Sequence, residues 1–190
     1  AVLGPAAAGF WGLTLRYLKA PATLVGSAVA QVLYPTLAAS GGPTPAARAA
    51  LRRVMLVLGA LALPLVLTLW LAGPALFRVA FGTGWEGAGE LASALAVYIG
   101  VHFVASPLSV VTLAWQAQAW ALRLALVGQA AFVGALALGL WWDGLQAAGW
   151  AVSCAMMLYF GWFFWRLACW PVQPVQAVQP VPPGAGGDRA

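Results

Sequence analysis

Two sets of polar residues recur at helical spacing within otherwise apolar sequence, and any chemistry this chain performs must centre on them. At 100° per residue, Arg16, Lys19, Thr23, Ser27, Gln31 and Tyr34 fall within an arc of about 120°. Tyr98, His102, Ser106, Ser109, Thr112 and Gln116 form a second arc of similar width. Pro21 and Pro107 lie off these arcs; each lacks a backbone N–H and should kink its helix, Pro21 by freeing the carbonyl of Tyr17. Thr14, Ser93 and Gln118 fall outside both stripes, so the partition is incomplete.

Two polar faces, one with two cations, suit a water-accessible cavity that attracts an anion such as a phosphate or pyrophosphate. Arg16, Lys19, Thr23, Ser27, Gln31, Tyr34, Tyr98 and His102 are therefore the expected substrate-binding residues. A second reading has the first span start near Ala20, with Arg16 and Lys19 snorkelling to the headgroups. Against it, Arg16 stands about nine residues, roughly 13 Å, inside a helix that starts at Ala7. For His102 two roles fit: a neutral imidazole bonded to a neighbouring serine or carbonyl, and a proton-coupling or ligand group.

The elements that position these residues follow from composition. Of 190 residues, 63% are apolar and only 7% are charged, with mean hydropathy +0.89. Soluble domains carry about 25% charged residues, so this chain belongs in a bilayer. Long charge-free stretches in place of strict alternation exclude a membrane β-barrel. The fold class is all-α, a polytopic bundle of about five transmembrane helices. The spans run over about 7–34, 54–77, 91–115, 124–142 and 145–165, the last two ending in Trp141-Trp142 and Phe163-Phe164-Trp165 at the headgroup boundary.

Alternating loops place Arg48, Arg52, Arg53, Arg123, Arg166 and Arg189 on one side, and Arg78, Glu86, Glu90 and Asp143 on the other. By the positive-inside rule the C-terminal side is cytoplasmic, with Arg78 an interfacial anchor on the other. The chain divides into a bundle over 1–170 and a Pro-rich tail over 171–190, which cannot form a helix and has no core to bury. A disordered cytoplasmic tail with polyproline II character is expected. The start at Ala1, without a signal-like segment, reads as the C-terminal part of a longer protein, with a processed or trimmed N-terminus as the alternative.

Other chemistries find little support. No basic run of five or more residues indicates nucleic acid. Cys154 and Cys169 lie 15 apart on one expected helix, cannot bridge within it, and form no metal-ligand cluster. No cofactor or metal is expected. Gly82-Thr83-Gly84 lacks the context of a phosphate loop and reads as a tight outer turn. Gly128, Ala131, Ala135 and Gly139 form a strip of small residues suited to close helix packing within the bundle.

Several motifs resemble a known family. Gly4-Pro5-Ala6-Ala7-Ala8-Gly9-Phe10-Trp11, then Leu15-Arg16, Pro21 and Tyr34-Pro35, resemble the helix that opens the later half of bacterial polysaccharide or O-antigen flippases. Leu76-Phe77 with Phe81-Gly82, Trp85 and Ala88 resembles that family's outer turn, and Ser106-Pro107-Leu108 its next helix, so the resemblance extends over about 1–168. It implies the multidrug, oligosaccharidyl-lipid and polysaccharide exporter superfamily. There, two helical bundles rock to carry an undecaprenyl-pyrophosphate-linked oligosaccharide across the bacterial inner membrane. The resemblance also implies a basic central cavity, occupied here by Arg16 and Lys19, and a cytoplasmic C-terminus. The expected partners are the lipid-linked oligosaccharide, membrane lipids and the N-terminal helices of a parent transporter. A lipid II flippase, a drug antiporter, a membrane-embedded enzyme acting on lipid-linked sugars and a small membrane scaffold are the alternatives. No acid lies mid-span as an antiporter would want, and no loop between spans exceeds roughly 20 residues as an enzyme would want.

Overall fold

The structure, a computed structural model, describes residues 5–171, and in that range it is helical throughout apart from short turns. The tail expected to be disordered lies outside the described residues beyond Pro171. The elements are α1 (Pro5–Ala39), α2 (Pro45–Phe81), a 3-10 turn (Thr83–Trp85), α3 (Glu86–Ala94), α4 (Ala96–Leu108), α5 (Val110–Ala114) and α6 (Gln118–Ala168). Among the described residues four helices are long and apolar enough to cross a membrane, and the 51-residue α6, broken at Asp143 and Gly144, is long enough for two crossings, which gives five spans.

The α1–α2 junction is fixed by local chemistry. The Ser40 hydroxyl donates to the Leu37 carbonyl at 2.6 Å, and Gly41 (φ 66°) and Gly42 (φ 145°) take up the left-handed backbone that reverses the chain. Thr44 then caps α2 by accepting from the Ala47 N–H at 3.1 Å, with Pro45 in the first turn where no donor is needed. This cap starts α2 nine residues before the apolar run at 54, so Arg48, Arg52 and Arg53 ride on its first turns. Pro64 and Pro74 sit inside α2 without ending it. The Thr68 hydroxyl donates to the Pro64 carbonyl at 2.7 Å.

The third span is one rod in three pieces. It is interrupted at Leu95 (φ −87°, ψ −1°) and again at Ser109, two residues past Pro107, which itself lies inside α4. The turn before it is a 3-10 turn entered through Gly82 (φ 97°) and spanned by an exposed Arg78–Glu86 pair at 3.6 Å. α3 lies against α2 at a glycine contact: a Cβ on Gly89 would stand 2.5 Å from the Pro74 Cα. The Ser93 hydroxyl crosses the same contact to the Leu69 carbonyl at 2.9 Å.

α6 folds back on itself. Asp143 (φ −151°, ψ 33°) and Gly144 (φ 79°, ψ −151°) leave helical geometry, and the arms 118–142 and 145–168 pack antiparallel. The Trp120 and Phe163 rings stack at 6.0 Å, the Tyr159 hydroxyl donates to the Leu124 carbonyl at 2.7 Å, and Gly139 meets the backbone at Ala148. Gly128 and Gly139, the two ends of the small-residue strip, are thus spent on this hairpin. Trp141 and Trp142 at its tip are 84% and 82% exposed, as residues at a membrane interface would be.

The 86–114 rod is the centre of the bundle. Ala92, Leu95, Ile99, Leu108 and Val111 are fully buried, with α1, α2 and α6 packed around them. The outer helices expose Leu56, Leu63, Trp70, Leu71, Leu126 and Leu158, as a lipid-facing surface requires. One buried polar contact ties the second α6 arm to the rod: the Ser153 hydroxyl donates to the Ala94 carbonyl at 2.6 Å. Ser153→Ala should cost about 1 kcal/mol, which lowers the unfolding midpoint by about 2–4 °C. Thermal unfolding in detergent, followed by circular dichroism, measures this directly.

Candidate substrate-binding groove

The site is built on the 86–114 rod. Tyr98, 4% exposed, and His102 lie one turn apart on α4, with ring centroids 5.7 Å apart. The Lys19 ammonium stands over the Tyr98 ring, 5.0 Å from its centroid, a cation–π geometry. Phe132 packs on Tyr98 at 5.6 Å and Phe160 on His102 at 6.2 Å, so one cation sits in an aromatic frame contributed by α4 and both arms of α6.

A groove of about 440 Å³ opens beside this frame, lined by Lys19, Tyr98, His102, Gln129, Phe132 and Tyr159 among others. A second space of about 350 Å³ continues it past Ser106, Ser109 and Thr112. The two share His102, Ala125, Tyr159 and Phe160, and together they run from the Lys19 level toward the Arg-rich end of the bundle. Depth follows from packing. Val66 lies midway between Arg53 and Arg78, and it touches Gly100. Tyr98 and His102 flank Gly100 by two residues, about 3 Å along the helix, so the Lys19–Tyr98 pair stands near the middle of the charge-free zone.

The two sequence stripes have different fates. The α4 stripe faces the groove over most of its length. In the α1 stripe only Lys19 reaches it, while Arg16, Thr23, Ser27, Gln31 and Tyr34 are exposed on the outer face of the bundle. The geometric cause is rotation: the buried face of α1 runs through Thr14, Ala22, Gly26, Leu33 and Leu37, and Lys19 lies at its edge. α1 crosses α4 at Gly26, where a Cβ would stand 3.0 Å from the Ser106 hydroxyl oxygen. The Thr23 and Ser27 hydroxyls donate to their own helix, at the Lys19 (2.7 Å) and Leu24 (2.9 Å) carbonyls.

Two groove residues escaped the sequence reading. Gln129 is the one amide in the charge-free part of the fourth span, a signal that was present in the sequence. Tyr159 gave no such signal, since its place depends on the antiparallel return of α6 and its hydroxyl is taken by Leu124. Among the described residues no group of three His, Cys, Asp or Glu side chains could hold a metal ion. A cation, hydroxyls, an amide and aromatic faces in one groove can bind an anionic headgroup with an attached sugar.

Comparison with curated proteins and with solved structures finds no match. Residues 1–90, which hold α1, α2 and the outer turn but stop short of Tyr98 and His102, match the family model described as polysaccharide biosynthesis protein, and this match fits a fragment of a polysaccharide flippase.

Proposed function

We propose that this chain forms part of a transporter that flips an undecaprenyl-pyrophosphate-linked oligosaccharide across the bacterial inner membrane, with its C-terminal side in the cytoplasm. The observation that carries the reading is the ammonium of Lys19, a residue of the segment matched to polysaccharide biosynthesis proteins, held near mid-depth over Tyr98, which lies beyond that segment. A pyrophosphate cannot cross hydrocarbon unaided, because desolvating an ion costs many kcal/mol. Lys19 offsets that charge, Gln129 and the Ser106, Ser109 and Thr112 hydroxyls contact sugar, and the polyprenyl chain stays in lipid.

The exposed α1 stripe supports the same reading. Five polar side chains on one face of a membrane helix are costly against lipid, so this face looks onto water or onto further helices of the transporter. The charge asymmetry supports the orientation, with Arg48, Arg52, Arg53, Arg123 and Arg166 at one end of the bundle and Glu86, Glu90 and Asp143 at the other.

The test uses cells that depend on the full-length protein carrying this chain. Replacing Arg16 and Lys19 together with alanine should abolish glycan export and leave lipid-linked oligosaccharide accumulating on the cytoplasmic face, with membrane insertion unchanged. Export at the wild-type rate by an inserted double variant would overturn the proposal.

A further inference from the structure

The face of α4 opposite the polar groove carries a second, apolar groove. Its inner part, about 420 Å³, is lined by Arg52, Met55, Gly59, Val104 and Phe164 among others, and a further 230 Å³ continues it to Val66 and Gly100. It lies between α2 and α4 and opens on the face where Leu56 and Leu63 are exposed. It runs from Arg52 to Val66, 14 residues or about 21 Å along α2. One leaflet's share of the hydrocarbon is about 15 Å, so the groove begins at headgroup level and ends near the midplane, where Val66 closes on Gly100.

Among the described residues, its mouth carries positive charge with no acid beside it. The Arg52 Nη2 donates to the Ala168 carbonyl at 2.9 Å, which joins the start of α2 to the end of α6 and holds the guanidinium over the groove. Arg48 and Arg53 flank it on the same two turns. Among the described residues the sole ion pair is Arg78–Glu86, at the opposite end of the bundle. The three described acidic side chains, Glu86, Glu90 and Asp143, all lie at that opposite end, so no described acid can neutralise the Arg cluster.

We infer that this groove holds one acyl chain of an anionic phospholipid from the Arg-rich leaflet, with its phosphate on Arg52. The shape selects an aliphatic chain, the depth selects one leaflet, and the Arg52 guanidinium, held on the Ala168 carbonyl with no described acid beside it, selects a phosphate. The transported lipid's own tail is disfavoured, because α4 stands between this groove and the one holding Lys19. Occupancy would tie α2, α4 and the second arm of α6 together at the inner end of the bundle.

Gly59 makes the inference testable. It lines both parts of the groove, yet a Cβ added there meets no protein atom within 4 Å, so Gly59→Leu fills the groove without disturbing the fold. The full-length protein is purified from vesicles of phosphatidylglycerol and phosphatidylethanolamine at a 1:3 ratio, and co-purifying lipid is counted by mass spectrometry. Wild type should retain phosphatidylglycerol selectively, and Gly59→Leu and Arg52→Gln should each lower that retention at least tenfold. Gly134→Leu, at another open glycine remote from the groove, should leave it unchanged. Equal retention in Gly59→Leu, no preference for phosphatidylglycerol, or displacement of the bound lipid by added undecaprenyl phosphate would each overturn the inference.

Discussion

In the full-length protein, Lys19→Ala alone is expected to slow translocation of the pyrophosphate-linked lipid by about 10- to 100-fold, while Arg16→Ala costs no more than about fivefold. The two cations share one stripe in the sequence, but the structure gives them different surroundings. Lys19 is half-buried over Tyr98 and faces the groove, where a bond to a charged group contributes about 1.5–3 kcal/mol. Arg16 is exposed, and an exposed charge pairs with an anion for about 0–1 kcal/mol. The Tyr98 ring face, and not its hydroxyl, steadies the ammonium, so Tyr98→Phe should transport at close to the wild-type rate. Tyr98→Leu should lose about 2- to 30-fold, the range of a cation–π contact. Initial rates in proteoliposomes measure all four variants. Equal losses for Lys19→Ala and Arg16→Ala would move the anion site from the groove to the exposed face of α1.

The contrast between those two residues marks where sequence reasoning stops. Five spans, their order and the polar stripe of α4 were legible, because hydropathy and 3.6-residue periodicity are local properties. The helix ends were less so. α2 begins at Pro45 because Thr44 and Pro45 form a cap, a signal present in the sequence but hidden by the later start of the apolar run. The rotation of α1 was not legible at all. It depends on Gly26 meeting Ser106 and on Leu18 packing beside Phe77 and Ala88, contacts set by residues more than 50 positions away. A stripe's width is therefore a property of its helix, whereas what the stripe faces belongs to the bundle. The interruptions of the third span were half legible: Pro107 marked the region of the one at Ser109, while no proline or glycine stands at the one at Leu95.

Gly139→Leu should destabilise the bundle by more than about 3 kcal/mol, whereas Gly134→Leu on the same arm should be nearly neutral. The two substitutions add the same side chain to one helix five residues apart, so helix propensity and hydrophobicity cancel in the comparison. What differs is the neighbour. At Gly139 a Cβ would collide with the Ala148 Cα and stand 2.6 Å from its amide nitrogen and 2.8 Å from the Ala147 carbonyl oxygen. These are backbone atoms of the opposing arm and cannot rotate away as a side chain could. At Gly134 nothing lies within 4 Å. Relief at Gly139 requires the arms 118–142 and 145–168 to separate near their turn, and the rigid arms carry that separation down to Gly128–Tyr159 and Tyr159–Leu124. Tyr159, Phe160 and Ala125 wall the groove, so Gly139→Leu should also impair substrate binding from about 15 Å away or more, a distance of ten residues or more along the arm. Thermal unfolding in detergent reads the first effect, and binding of undecaprenyl pyrophosphate to the surviving folded fraction reads the second. A Gly139→Leu protein as stable as Gly134→Leu would mean that the arms do not pack face to face, and the groove they form with α4 would lose its far wall.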